Sequence, residues 1–213
     1  PDAIAARAAD LARRADAAWL AEQLESPHAL AVAMWRGKPL VEPLLDGTER
    51  LAYLRADLAS DAVGGAWDRL LFLGLWKDAP VFAVDFEGGA DPAEGPLKGL
   101  GRFEELRSLA PVLPAADAGV AATAKSLFDW RRRHGFCSAC GAAVLTVDGG
   151  WKTSCPSCRA EHFPRVDPVT IMLPVFGNRC LMGRGAGWPA GRMSALAGYL
   201  EPGESVEEAC ARE

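Results

Sequence analysis

The chain has 213 residues, 50% of them apolar and 24% charged, with a formal net charge of −5. This is an ordinary globular balance, long enough for one large or two small domains, and its sign argues against a protein that grips nucleic acid through a global positive field. No apolar run approaches the roughly 20 residues needed to span a bilayer and no signal-peptide pattern is visible, so a cytoplasmic location without a membrane partner is expected.

The first residue is Pro1 rather than Met, so the natural N-terminus is expected further upstream. Residues 4–24 read as a helix, because Ile4, Ala8, Leu11, Ala15 and Trp19 recur at helical spacing, and Ser26-Pro27 ends it. Short strands are expected over 29–35 and 39–41, joined by a turn at Arg36-Gly37-Lys38, and over 69–76 and 81–86, joined by a turn at residues 77–80. Residues 87–101 read as a loop, and two helices are expected near 102–109 and 115–133. Residues 1–133 thus form an α+β domain without a cluster of catalytic residue types, suited to a structural or dimerisation role.

Cys137 and Cys140 form one Cys-x-x-Cys pair and Cys155 and Cys158 another, 14 residues apart. Each pair makes a knuckle that aims two thiolates at one point, and two knuckles complete a closed tetrahedral zinc site. A hairpin is expected over 146–153, centred on Asp148-Gly149-Gly150. This defines a zinc ribbon over 134–164 whose Zn²⁺ is structural, since four thiolates leave no open coordination position. Arg131, Arg132, Arg133, His134 and Arg159 are placed to offset the site's negative charge; a nucleic-acid contact is the alternative for that short basic run.

Residues 165–213 open with an apolar, β-rich stretch over 166–176, a turn at Gly177-Asn178 and a return strand from Arg179. Gly185-Ala186-Gly187 before Trp188 reads as a connection between strands, with a phosphate-cradling loop as the alternative. Cys180 and Cys210 are expected to be buried apolar thiols. A strand over 193–200 leads into Gly198, followed by Glu204 after five residues and by Arg212-Glu213 after seven more. Gly198, Pro202 and Gly203 turn the chain, Glu204 or Ser205 opens a helix, and Glu207 and Glu208 sit in its first turn, where the dipole favours them. Carboxylates on one face of such a helix can gather Mg²⁺ or Mn²⁺; an ordinary acidic helix after a Gly-Pro turn is the other reading.

The pattern Gly198, Glu204, Arg212-Glu213 resembles the first two-thirds of a Nudix box. Three features occur in one order, an α+β module, a four-cysteine ribbon and the start of this box, and the order resembles the NADH pyrophosphatase family of Nudix hydrolases. The linking phrases agree: Trp35-Arg36-Gly37-Lys38 near the N-terminus, Phe128 to Cys137 into the ribbon, Phe163 to Met172 out of it, and Met193 to Glu204 into the box.

This resemblance implies a mixed sheet flanked by helices, an α+β fold with a Nudix-like N-terminal domain, the ribbon, and the first part of a Nudix α/β/α sandwich. It implies a homodimer that cuts the pyrophosphate of NADH or NAD⁺ into nicotinamide mononucleotide and AMP, with NAD-capped RNA as a further substrate. By the same resemblance Glu213 is the catalytic metal ligand for Mg²⁺ or Mn²⁺ and the Gly198 carbonyl lies near that metal. Glu204 and Arg212 pair to brace the helix, and Phe163 and Tyr199 stack on a base of the substrate, although either could instead be a packing aromatic. The family's box continues with Glu-Glu beyond the Arg-Glu pair, and a later Ser-Gln-Pro-Trp-Pro-Phe-Pro-x-Ser phrase marks its substrate. Neither follows Glu213 here, so the box is expected to be cut short, leaving sheet edges unpaired and these 213 residues alone close to inert. RNA NAD-decapping as the main role, and a zinc-ribbon binding module with a remnant Nudix part, are the alternatives.

Overall fold

A computed structural model describes residues 13–66, 69–109 and 111–213. The chain forms two compact units, Pro1–Pro164 and Arg165–Glu213.

In the first unit, Arg13–Ala15 is a single 3₁₀ turn and α1 spans Ala17–Glu25, capped by Asp16, whose carboxylate accepts the Trp19 N–H at 2.9 Å. Residues 4–12 of the expected helix lie outside the described residues. β1 (Leu30–Trp35) and β2 (Lys38–Pro43) turn on Arg36 and Gly37, both with positive φ (51° and 74°). β5 (Leu70–Trp76) and β6 (Ala79–Asp85) turn on Lys77 and Asp78 in the same way (50° and 66°). Positive φ at both central residues gives the two-residue turn whose twist matches that of a hairpin, so the second turn is two residues tighter than expected. Between these hairpins lie β3 (Glu49–Leu51), β4 (Tyr53–Arg55) and α2 (Ala56–Asp61). After them come β7 (Arg102–Phe103), α3 (Leu106–Leu109) and α4 (Ala115–Arg133). Arg102 and Phe103 are therefore not helical as expected; they pair with Leu40 and Val41 of β2, whose edge offers them backbone partners.

The sheet runs β3-β2-β1-β6-β5, with β4 also on β1 and β7 on β2. It is mixed, since β1 and β6 are parallel and the other pairs antiparallel. Alternate residues of each central strand enter opposite cores. Ala31, Ala33, Leu70, Phe72, Phe82 and Val84 pack with Leu20 of α1 and Ala56 and Ala59 of α2. Val32, Met34, Leu71, Leu73, Val81 and Ala83 pack with Ala121, Ala124, Leu127 and Phe128 of α4. Strands buried on both faces read as continuous apolar runs, as Leu70 to Leu73 does.

The ribbon belongs to this unit. β8 (Leu145–Val147), β9 (Lys152–Ser154) and β10 (Glu161–His162) form its sheet in the order β10-β9-β8, and Asp148–Gly150 makes the tip between β8 and β9. The tip sits on β5, the last strand of the larger sheet. Trp151 Nε1 donates to the Phe72 carbonyl at 2.6 Å, and the Arg14 guanidinium lies 3.7 Å from the centre of the Trp151 ring. Gly150 has φ +95°, and a Cβ there would lie 2.9 Å from Leu71 Cδ1, so both its conformation and its close approach call for glycine. Arg131 Nη1 donates to the Leu70 carbonyl at 2.7 Å and Arg132 pairs with Asp129, so these two arginines serve the sheet and their own helix.

The second unit contains β11 (Val169–Met172) paired antiparallel with β14 (Leu196–Tyr199), and β12 (Val175–Phe176) paired with β13 (Arg179–Cys180). Helix α5 (Val206–Arg212) follows. Cys180 and Cys210 are exposed rather than buried. The 185–188 segment is a turn in which the Trp188 N–H bonds the Gly185 carbonyl at 3.0 Å and Arg184 donates to the Trp188 carbonyl. Among the described residues no helix is long and apolar enough to cross a membrane.

Candidate functional site

The two knuckles of the ribbon repeat one geometry. The Cys137 N–H bonds the Ala142 carbonyl at 2.7 Å and the Gly141 N–H bonds the Cys137 carbonyl at 2.9 Å. In the second knuckle, Cys155 N–H to Ala160 and Arg159 N–H to Cys155 are both 2.9 Å. The turn residue is left-handed in each, Gly141 at φ 77° and Arg159 at φ 62°. The first cysteine of each knuckle, Cys137 and Cys155, is buried and the second, Cys140 and Cys158, is exposed.

All four sulfurs lie within 4.8 Å of one another, with Cys137 to Cys158 at 3.6 Å and Cys140 to Cys155 at 3.5 Å. Sulfurs about 2.3 Å from a tetrahedral zinc would be roughly 3.8 Å apart, close to the two shortest separations here, so the four thiols are clustered as a zinc ion requires. The Cys158 backbone N–H, 3.5 Å from Cys155 Sγ, is the main cause that lowers the Cys155 thiol to about 6 and so favours its thiolate. Sequence spacing missed one neighbour: His162 Nε2 lies 3.3 Å from Cys137 Sγ. Phe163, the next residue, is 63% exposed.

In the second unit the loop after β14 and helix α5 form a polar lattice. Ser205 caps α5, its hydroxyl accepting the Glu208 N–H at 3.2 Å while the Glu208 carboxylate accepts the Ser205 N–H at 2.8 Å. This reciprocal pair satisfies two backbone N–H donors at the start of the helix. Arg212 then reaches back over the turn. Its Nε donates to Glu204 Oε1 at 2.8 Å and its Nη2 donates to Glu204 Oε2 and to the Tyr199 carbonyl, each at 2.9 Å. Glu204 also accepts the Glu201 N–H at 3.0 Å. The two-toothed Arg212 contact first, and that N–H second, lower the Glu204 carboxyl to about 2.

The remaining Arg212 donor, Nη1, holds Glu213 Oε1 at 2.6 Å. The Glu213 carboxyl lies directly over Gly198, where a Cβ would overlap it. Gly198 has no positive φ, so the glycine is needed for close approach and not for its backbone freedom. Tyr199, next on β14, is 67% exposed. Gly198, Tyr199, Glu204, Arg212 and Glu213 thus meet in the second unit, while the four cysteines, His162 and Phe163 belong to the first.

Two families match the chain. One, described as an NADH pyrophosphatase-like rudimentary NUDIX domain, covers residues 28–130, and the other, the NADH pyrophosphatase zinc ribbon domain, covers 132–163. Human NAD-capped RNA hydrolase NUDT12 is 41% identical over 128 residues, which is 53% of this chain and 28% of the relative. Human mitochondrial NAD(P)H pyrophosphatase NUDT13 is 42% identical over 113 residues, 53% of this chain and 32% of the relative. Chloroplastic Nudix hydrolase 19 of Arabidopsis thaliana is 34% identical over 211 residues, 88% of this chain and 48% of the relative. The chain therefore spans between about a quarter and a half of the length of these relatives. With a two-faced mixed sheet under the first family, the four-cysteine cluster under the second, and an Arg-Glu-closed loop and helix after both, the chain belongs to the zinc-ribbon NADH pyrophosphatase family of Nudix hydrolases.

Proposed function

We propose that this protein is a metal-dependent hydrolase that splits the pyrophosphate of NADH or NAD⁺ into nicotinamide mononucleotide and AMP. The observation that carries the reading is the Glu213 carboxylate, held over Gly198 by an Arg212 that is itself anchored on Glu204 and the Tyr199 carbonyl. A carboxylate fixed on both sides is pre-organised for a hard divalent ion, with the Gly198 carbonyl as a neighbouring oxygen. Mg²⁺ or Mn²⁺, when bound, would neutralise the diphosphate and make a water more acidic.

In the overall reaction, water oxygen bonds to one phosphorus, the bond from that phosphorus to the bridging oxygen breaks, and the bridging oxygen leaves with the other phosphate. Arg212 and Glu204 orient, and Glu213 supplies negative charge at a set position. Tyr199 and Phe163 offer exposed rings on which a base can stack. The four cysteines would hold one Zn²⁺ with a structural role. In this reading 1–133, 134–164 and 165–213 act as three domains, and the protein works as a cytoplasmic homodimer. A second reading, RNA NAD-decapping as the main role, is favoured by the name of the NUDT12 relative.

The test is release of AMP. Protein expressed from its complete gene should produce AMP from NADH with Mn²⁺ or Mg²⁺, and Tyr199→Ala should lower kcat/KM a few-fold to about tenfold, the worth of an aromatic stack of about 0.5–1.5 kcal/mol. A higher kcat/KM on NAD-capped RNA than on NADH would favour the second reading. No AMP from NADH, NAD⁺ or capped RNA would leave a binding module and end the enzymatic proposal.

A further inference from the structure

The four zinc-site sulfurs are not held alike. Cys155 Sγ receives a backbone N–H from its own knuckle, that of Cys158. Cys137 Sγ, equally buried, has at 3.3 Å a side chain from another part of the ribbon, the imidazole of His162. The position of that ring follows from strand register. His162 pairs with Thr153 and Glu161 with Ser154, so β10 is fixed against β9. Successive side chains of a strand point to opposite faces. Glu161 takes the face where Lys152 holds it at 2.9 Å, with Asp148 on the same lysine at 3.0 Å. His162 takes the other face, beside the sulfurs, opposite a Thr153 that is 2% exposed.

We propose that His162 is a positioning residue of the zinc centre, its Nε2–H donating a hydrogen bond to the Cys137 thiolate. This rests on the reading that the four cysteines hold zinc. A thiolate is only an acceptor, so the facing ring nitrogen must carry the proton. A four-thiolate zinc centre carries net negative charge, and each N–H aimed at a sulfur spreads that charge and weakens the sulfur as a nucleophile. The bond also ties β10, the strand that leads out of the ribbon to Phe163, to the first knuckle. His162 thereby resists loss of zinc through attack on, or protonation of, the buried Cys137 sulfur.

The experiment follows zinc transfer from the loaded protein to a chromogenic chelator, with metal content measured first. Unaltered protein should contain about one zinc per chain. His162→Phe, which keeps a flat ring and removes the donor, should release zinc about 10–100-fold faster. His162→Gln, whose amide N–H reaches a similar point, should stay near the unaltered rate. In the zinc-loaded unaltered protein, the ¹⁵N shifts of the ring should place the proton on Nε2, a readout that does not depend on whether a variant folds. Equal release from His162→Phe and the unaltered protein, or a ring proton found only on Nδ1, would overturn the proposal while leaving the zinc site intact. Release from His162→Gln as fast as from His162→Phe would also overturn it, since the ring and not its N–H would then be what matters. Unaltered protein without zinc would overturn the zinc reading itself.

Discussion

In residues 13–164 the sheet is covered on both faces, and Met34, Leu71, Phe72 and Phe82 are fully enclosed. In residues 165–213 the buried side chains are Thr170, Met172 and Ala209, while Val169, Ile171, Val175 and Phe176 are each at least half exposed. The second unit is held instead by directional contacts: the capping box at Ser205, the Arg212 fork on Glu204, and the seat of Glu213 on Gly198. Apolar burial is non-directional and tolerates small shifts, whereas charge-assisted hydrogen bonds fix atoms to a few tenths of an ångström. The carboxylate proposed to bind the catalytic metal, Glu213, therefore sits in the region whose order is the more specific and the less deeply buried.

The contrast breaks most visibly in the core. Phe72→Ala, which removes a ring packed on Trp19 and Phe82, should cost about 3–5 kcal/mol in chemical denaturation of the intact protein. Ile171→Ala, on a side chain that is 68% exposed, should stay within about 0.5 kcal/mol. Similar losses from both would show that the second unit is also core-driven.

Acid tests the other side. Glu204 is lowered from 4.5 to about 2. A carboxyl lowered on folding contributes stability above about 4.5, and that contribution is lost as pH falls through about 2. The Glu204–Arg212 pair should thus survive at pH 4 and open only near pH 2, followed by the Glu204 carboxyl ¹³C shift. A midpoint near 4.5 would mean that the fork is not formed in solution. The smallest effect belongs to the ribbon, where Arg159 adopts the left-handed turn that Gly141 makes in the first knuckle. Arg159→Gly should stabilise the folded protein by up to about 1 kcal/mol in thermal unfolding, and Gly141→Ala should do the reverse.

How far the sequence could be read depended on where local chemistry decides. Arg36-Gly37 announces its hairpin through a glycine at positive φ, and the cysteine spacing announces the knuckles. The strands at 49–51 and 53–55 carry no strand signal of their own, because Glu-Arg-Leu and Tyr-Leu-Arg are too short to show a pattern and are recruited by pairing with β2 and β1. Arg102 and Phe103 followed the same tertiary demand against a helical expectation. At the site, the Glu204–Arg212 spacing was legible only through family resemblance, since the seven intervening positions carry no periodic signal. His162 had no signal at all, because its place beside Cys137 comes from the pairing of β10 with β9.

The docking of the ribbon tip on β5 also bears on solubility. β5 ends the sheet order, and an open terminal strand is a template for another chain. Two alternate carbonyls of that strand, Leu70 and Phe72, are taken by the Arg131 guanidinium and the Trp151 indole. Trp151 is carried by the same hairpin that leads into Cys155, so an intact zinc centre also shields this edge. Metal-starved protein, with the hairpin loosened, would present an unguarded strand, and its first symptom would be self-association.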